Sequence, residues 1–197
     1  GVDVQSLRFF PLPKSLDGRI HIAFVGSGAP WYGLDRVLRM LESPKARDIV
    51  LHWIGHPLEQ DSFCMDNKNN RIIVHGFKTG QKLEEVLARV HLAFGPLAVH
   101  RIGLSQATPL KVRRYLAHGI PTVIAYDDPD IPPNAEFVLR VPANDKPLEA
   151  EEVLEFIKRT ASNNIRIKAR IFAERTLDWT IKTRQLADFL MEVSHDG

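Results

Sequence analysis

The stretch from Gln106 through Thr108-Pro109-Leu110-Lys111 to Arg114 and Gly119-Ile120-Pro121 concentrates the residue types that could do chemistry in this chain. A hydroxyl residue, a proline and then apolar Val112, Tyr115 and Leu116 predict a helix over Thr108–His118. Thr108 is its N-cap, Pro109 its first residue and Gly119 its stop. The first amides of such a helix lack intrahelical partners and sit at the positive end of its dipole, with Lys111 beside them. That is a site suited to an anion such as a diphosphate, with an ordinary helix start as the alternative reading. A second turn, Gly26-Ser27-Gly28 followed by Tyr32 and Gly33, ends an apolar run in the same manner. A dinucleotide fingerprint would need glycine at 31, where Trp31 stands, and an acid at the end of the second strand, whereas Asp48 precedes it. The three glycines therefore read as a strand-to-helix turn.

Other groupings are weaker. Asp128-Pro129-Asp130 has the spacing of a divalent-metal clamp but the composition of a turn, and is read as a turn. No zinc site is expected from the eight histidines, and His21, His52 and His91 fall inside strand runs, as core or interface residues. Ser27 lacks the frame of a nucleophile elbow. Between Lys158 and Arg184 eight basic residues face two acidic ones, a solvated helix face with peripheral membrane contact as the alternative. Trp179, Leu186, Leu190 and Val193 read as packing residues.

Strands that could carry these loops are Ile20–Val25, Ile49–Ile54, Ile72–Val74, Val90–Phe94, Pro121–Tyr126 and Phe137–Val141. Helical spacing recurs at Leu34, Val37, Leu38 and Leu41, at Leu83, Val86, Leu87 and Val90, and at Val153, Leu154, Ile157 and Ala161. Two further helices are expected over Asn164–Leu177 and Trp179–Val193, and a loop over Glu59–Asn70. The alternation predicts an α/β, Rossmann-like parallel sheet of about six strands with helices on both faces. Ligands of such sheets bind beyond the carboxyl ends of the strands, which selects the loops after each strand.

Composition bounds the function. The 197 residues carry 26 Lys and Arg against 24 Asp and Glu, a net charge of +2, so bulk attraction to nucleic acid is not expected. No apolar run approaches a membrane span. Cys64 stands alone, excluding an internal disulfide and a multi-cysteine metal site, and a cytoplasmic location is expected. The chain opens on Gly1, so a preceding segment is expected.

Taken in order, several pieces resemble the C-terminal, donor-binding domain of family-four glycosyltransferases of the GT-B fold. The Gln106–Pro121 stretch, ending in Ala117-His118-Gly119-Ile120-Pro121, resembles that domain's E-x7-E helix. Trp31-Tyr32-Gly33-Leu34-Asp35 resembles its phosphate loop, Trp53-Ile54-Gly55 and Val74-His75-Gly76 its next strand ends, and Trp179 a tryptophan near its closing helix. The resemblance implies a linker over 1–17, a nucleotide-sugar-binding domain over 18–177 and a C-terminal helix over 178–197 that packs on the domain or leaves it. It implies a nucleotide-diphosphate sugar as donor, retaining chemistry without metal or other cofactor, and an N-terminal acceptor domain on this or a partner chain. It places Ser27, Gly28, Tyr32, Gly33, Gln106, Thr108, Pro109, Leu110, Lys111 and Arg114 around the donor, with Gly76 and Phe77 at the nucleoside. The two acidic positions fall on Gln106 and Arg114, and the basic pair on Ser27 or Gly28 and Tyr32, so the motif is degenerate. Because a guanidinium cannot accept a hydrogen bond from a ribose hydroxyl, a catalytically silent sugar-nucleotide-binding or protein-interaction domain is the alternative.

Overall fold

The apolar runs form six parallel strands: β1 (Ile20–Val25), β2 (Ile49–Ile54), β3 (Ile72–Gly76), β4 (Leu92–Phe94), β5 (Thr122–Ile124) and β6 (Val138–Arg140). They lie in one sheet in the order β3-β2-β1-β4-β5-β6. This computed structural model describes residues 1–15, 17–56 and 71–195, so the loop expected over Glu59–Asn70, with Cys64, lies outside the described residues. All six residues of β2 are buried, as expected of a strand covered on both faces.

Alternation along β1 divides two cores. Ala23 faces one with Leu83, Val86, Val112, Tyr115, Leu116 and Ala169, under α2 (Gly80–Leu87), α3 (Leu110–Ala117) and α5 (Asn163–Phe172). Ile22 and Phe24 face the other with Val37, Met40, Trp53 and Phe156, under α1 (Leu34–Leu41) and α4 (Ala150–Thr160). The fold is thus the α/β, Rossmann-like arrangement that the sequence predicts.

Several elements differ from expectation. The fourth, fifth and sixth strands are three residues long, since the flanking apolar residues close the core from loops. The helix after Ser162 runs on through a single π-type turn, Ala173–Leu177, to Asp178. Arg166 and Arg170 are not on a solvated face. Arg166 is fully buried and donates to the Phe10 and Val90 carbonyls, and Arg170 to those of Val4, Leu7 and Ala117. Each guanidinium satisfies carbonyls where the segment before β1 crosses α3 and α5. That segment pairs with the far end of the domain: Val2 lies beside Asp178 in a parallel bridge, and the Val4 amide donates to the Asp178 carboxylate at 3.0 Å.

The last helix, α6 (Trp179–His195), corrects a further expectation. Leu186, Leu190 and Val193 are exposed together with Phe189, and Trp179 is about half exposed, because α6 leaves the domain after its first turns. No helix among the described residues is long and apolar enough to cross a membrane.

Candidate functional site at the β1–β4 switch point

Chain order reverses between β1 and β4, and a sheet of this order opens a crevice there, beyond the carboxyl ends of the strands. The loop after β1 and the start of α3 meet in it. Gly26 has φ +152, and a Cβ there would lie 3.1 Å from Lys111 Nζ. The same backbone is held from β2, where Trp53 Nε1 donates to the Gly26 carbonyl at 2.9 Å. A side chain on Gly55, φ +155, would come within 2.0 Å of that carbonyl, so the two strand ends touch only because neither residue has one. Pro30–Tyr32 then form one 3₁₀ turn, and Gly33, φ +71, passes the chain into α1 in the left-handed region.

Arg101, in the loop after β4, locks this turn. It donates to Asp35 at 2.8 and 2.9 Å, to Asp145 at 2.7 Å and to the Pro30 carbonyl at 2.8 Å. The sequence reading gave Arg101 no role and named Gly55 only as a strand end. Only the glycine left a local signal, by ending a strand, whereas the partners of Arg101 lie 66 and 44 residues away.

The structure brings Lys111, Tyr32, Gly33 and the Gly26–Gly28 turn together. Lys111 Nζ donates to the Val25 carbonyl at 2.7 Å and lies over the Tyr32 ring, 3.6 Å from its centre. Burial alone lowers its pKa, to about 7. The Ser27 hydroxyl accepts weakly from the Ala29 amide at 3.4 Å.

At α3 the expected cap is corrected. Pro109 is the N-cap, with φ −66 and ψ 133, and Leu110 is the first helical residue. Thr108, one residue too early, makes no capping hydrogen bond, and no side chain caps the helix. Its first amides therefore remain uncapped, beside exposed Leu110.

The remaining predicted residues lie apart. Gln106 is exposed and donates to Asp127 at 3.2 Å, in a short bridge between the loops after β4 and β5. Arg114 turns toward α2, where Glu84 stands 3.6 Å away, and lines a cavity of about 350 Å³ with Leu110, Trp179 and residues 1–3. Gly76, φ +66, ends β3, and exposed Phe77 stacks on His56 with ring centres 5.9 Å apart. Asp128 and Asp130 are turn residues as read, but engaged ones: Arg113 grips both, and Lys182 of α6 adds a bond to Asp130 at 2.5 Å. No cluster among the described residues has the makings of a metal site.

A six-stranded parallel sheet with this crevice defines a Rossmann-like domain, and the fold is that of one half of a GT-B glycosyltransferase. HepE of Anabaena, solved with UDP, superimposes with a TM-score of 0.68 at 15% identity, over 98% of this chain and 56% of that one. The lipopolysaccharide outer core galactosyltransferase WaaB gives 0.66 at 12% identity, over 97% and 54%. The catalytic domain of cholesterol-α-glucosyltransferase from Helicobacter pylori gives 0.58 at 17%, over 79% and 98%. This chain spans about half the length of the first two. No protein-family model and no curated protein matches the sequence.

Proposed function

We propose that this chain is the nucleotide-sugar-binding half of a glycosyltransferase. One juxtaposition carries the reading: Lys111 Nζ, the Gly26 backbone and the uncapped amides of α3 converge at the switch point, where a diphosphate would be met by a cation and by N–H donors together. HepE, of the same fold, has been solved with UDP and with UDP-glucose, which supports a uridine nucleotide as first choice. The diphosphate would lie on Gly26–Gly28 and the first turn of α3, the nucleoside toward Gly76 and the exposed face of Phe77, and the sugar toward Gln106. Transfer would be retaining and need no metal, with the acceptor bound by a second domain.

A silent binding domain is the second reading, favoured by Gln106 and Arg114. Both are tied to neighbouring acids, Asp127 and Glu84, and neither offers a free carboxylate to a sugar or ribose hydroxyl. A thermal-shift screen of UDP-, GDP- and ADP-sugars tests nucleotide binding, since a ligand at 100 times its Kd stabilises by about 2.7 kcal/mol. No shift with any of the three would sink both readings. A shift without transfer to any acceptor in the presence of the second domain would select the silent one.

A further inference from the structure

Lys111 is an odd cation to find at the mouth of a phosphate site. An ammonium has three N–H donors, and the structure gives this one a single acceptor, the Val25 carbonyl. The other surroundings of Nζ are the Tyr32 ring at 3.6 Å, the Phe24 ring at 5.6 Å and the open backbone of Gly26. No carboxylate pairs with it among the described residues. Tyr32, from the loop after β1, lies against Nζ, and Tyr115 of α3, which meets the same Val25 backbone, has Tyr126, Tyr32 and Arg114 around it. Burial holds the Tyr115 and Tyr126 phenols un-ionised, so neither supplies negative charge. Lys111 nonetheless keeps part of its surface exposed.

A largely buried ammonium with no carboxylate beside it is costly, whereas a neutral amine donating to Val25 is not. An anion delivered to the Gly26–Gly28 turn would reverse that balance, by supplying acceptors for both remaining donors and a compensating charge. Resting on the proposed function, we infer that Lys111 is an amine in the empty domain and an ammonium in the complex, so that diphosphate binding draws a proton from solvent onto the Nζ lone pair. Binding is then linked to pH. The fall of the free lysine to about 7 sets where: below it the cation is already formed, and above it each complex must take up a proton.

The test is calorimetry with UDP-glucose, whose diphosphate diester trades no proton of its own near neutrality, in buffers of different ionisation enthalpy. At pH 8 about 0.9 proton should be taken up per complex, and Kd should weaken about eightfold from pH 7.5 to 8.5. Lys111→Met and Lys111→Arg, one never charged and one always charged, should each abolish the uptake. Independently of any nucleotide, the ¹³Cε resonance of Lys111 in the free protein should titrate with a midpoint near 7. UDP-glucose binding without proton uptake, or a midpoint near the usual value for lysine, would overturn this inference and leave the proposed function standing. Failure of UDP-glucose to bind the wild-type protein would overturn both.

Discussion

His21 and His52 are hydrogen-bonded to each other across adjacent strands, Nδ1 to Nε2 at 2.8 Å. The contact is one rung of a ladder that runs obliquely across three strands, from His21 near the start of β1 to His75 near the end of β3. His52 Nδ1 meets His75 Nε2 at 2.8 Å, and His21 Nε2 meets Asp17 at 3.0 Å. A neutral imidazole donates once and accepts once, so three neutral rings ending on a carboxylate satisfy every contact. One added proton can be accommodated along the ladder by switching tautomers. A second sets two N–H groups against each other.

The ladder predicts acid sensitivity. Burial lowers His52 to about 4, with His75 and His91 moved the same way. These folded-state values lie below the unfolded value, so the unfolded chain binds more protons in acid, and the stability they contribute is lost as pH falls from about 6.5 toward 4. Thermal unfolding should show a plateau above pH 7 and a steep fall below 6, with His52→Gln recovering part of a loss on the order of 3 kcal/mol. A Tm unchanged between pH 7 and 5 would refute the assignment.

Arg113 and Asp128 form a fully buried pair, with Arg113 also reaching Asp130. Arg113→Ala would strand the Asp128 carboxylate without a counter-charge and should lower the unfolding free energy by about 3–5 kcal/mol in urea titration. Arg113→Lys should rescue little, since one ammonium cannot span both acids. A loss below 1 kcal/mol for the alanine variant would show that water replaces the guanidinium.

Gly55→Ala should separate the end of β2 from the loop after β1, because the new methyl group has no room beside the Gly26 carbonyl. A cost of roughly 2–4 kcal/mol is expected, with nucleotide-sugar binding lost before the fold is. Gly18→Ala, also at positive φ but with open space around it, should cost less and leave binding intact. Equal effects at the two positions would contradict this account.

Restoring the acidic residues requires two further changes. Arg114→Glu alone would set two carboxylates side by side, since Glu84 stands beside the guanidinium now, and Gln106→Glu would do the same against Asp127. Gln106→Glu with Asp127→Asn and Arg114→Glu with Glu84→Gln should together tighten UDP-glucose binding about tenfold or more, at ~1.5–3 kcal/mol per charge-assisted hydrogen bond. If calorimetry shows weaker binding by the quadruple variant than by wild type, and Arg114→Glu with Glu84→Gln alone weakens it equally, Arg114 contacts the nucleotide itself.

Much of the fold was legible because period and punctuation agree. The run Ile49–Ile54 ending at Gly55, and the stripe Leu34, Val37, Leu41, leave few alternatives. The carboxyl edge followed from that alternation, and Lys111 and the Gly26 turn do meet there. What could not be read was pairing at a distance. Nothing local to Arg166 says that carbonyls of Phe10 and Val90 await it, nor does the spacing of three histidines on three strands say that the sheet register will align them. The stripe on α6 misled for the converse reason: amphipathic spacing states that a face is apolar, not that this domain covers it.

The pairing of Val2 with Asp178 also bears on connectivity. Because the segment before β1 and the end of the π-type turn lie side by side, the order of elements is separable from their arrangement. A circular permutant in which a short glycine-rich linker joins residue 178 to residue 2, with new ends opened at exposed Asn134, would keep all six strands in register and omit α6. The Gly26 turn and α3 would keep their order in such a chain, with neither at a new end.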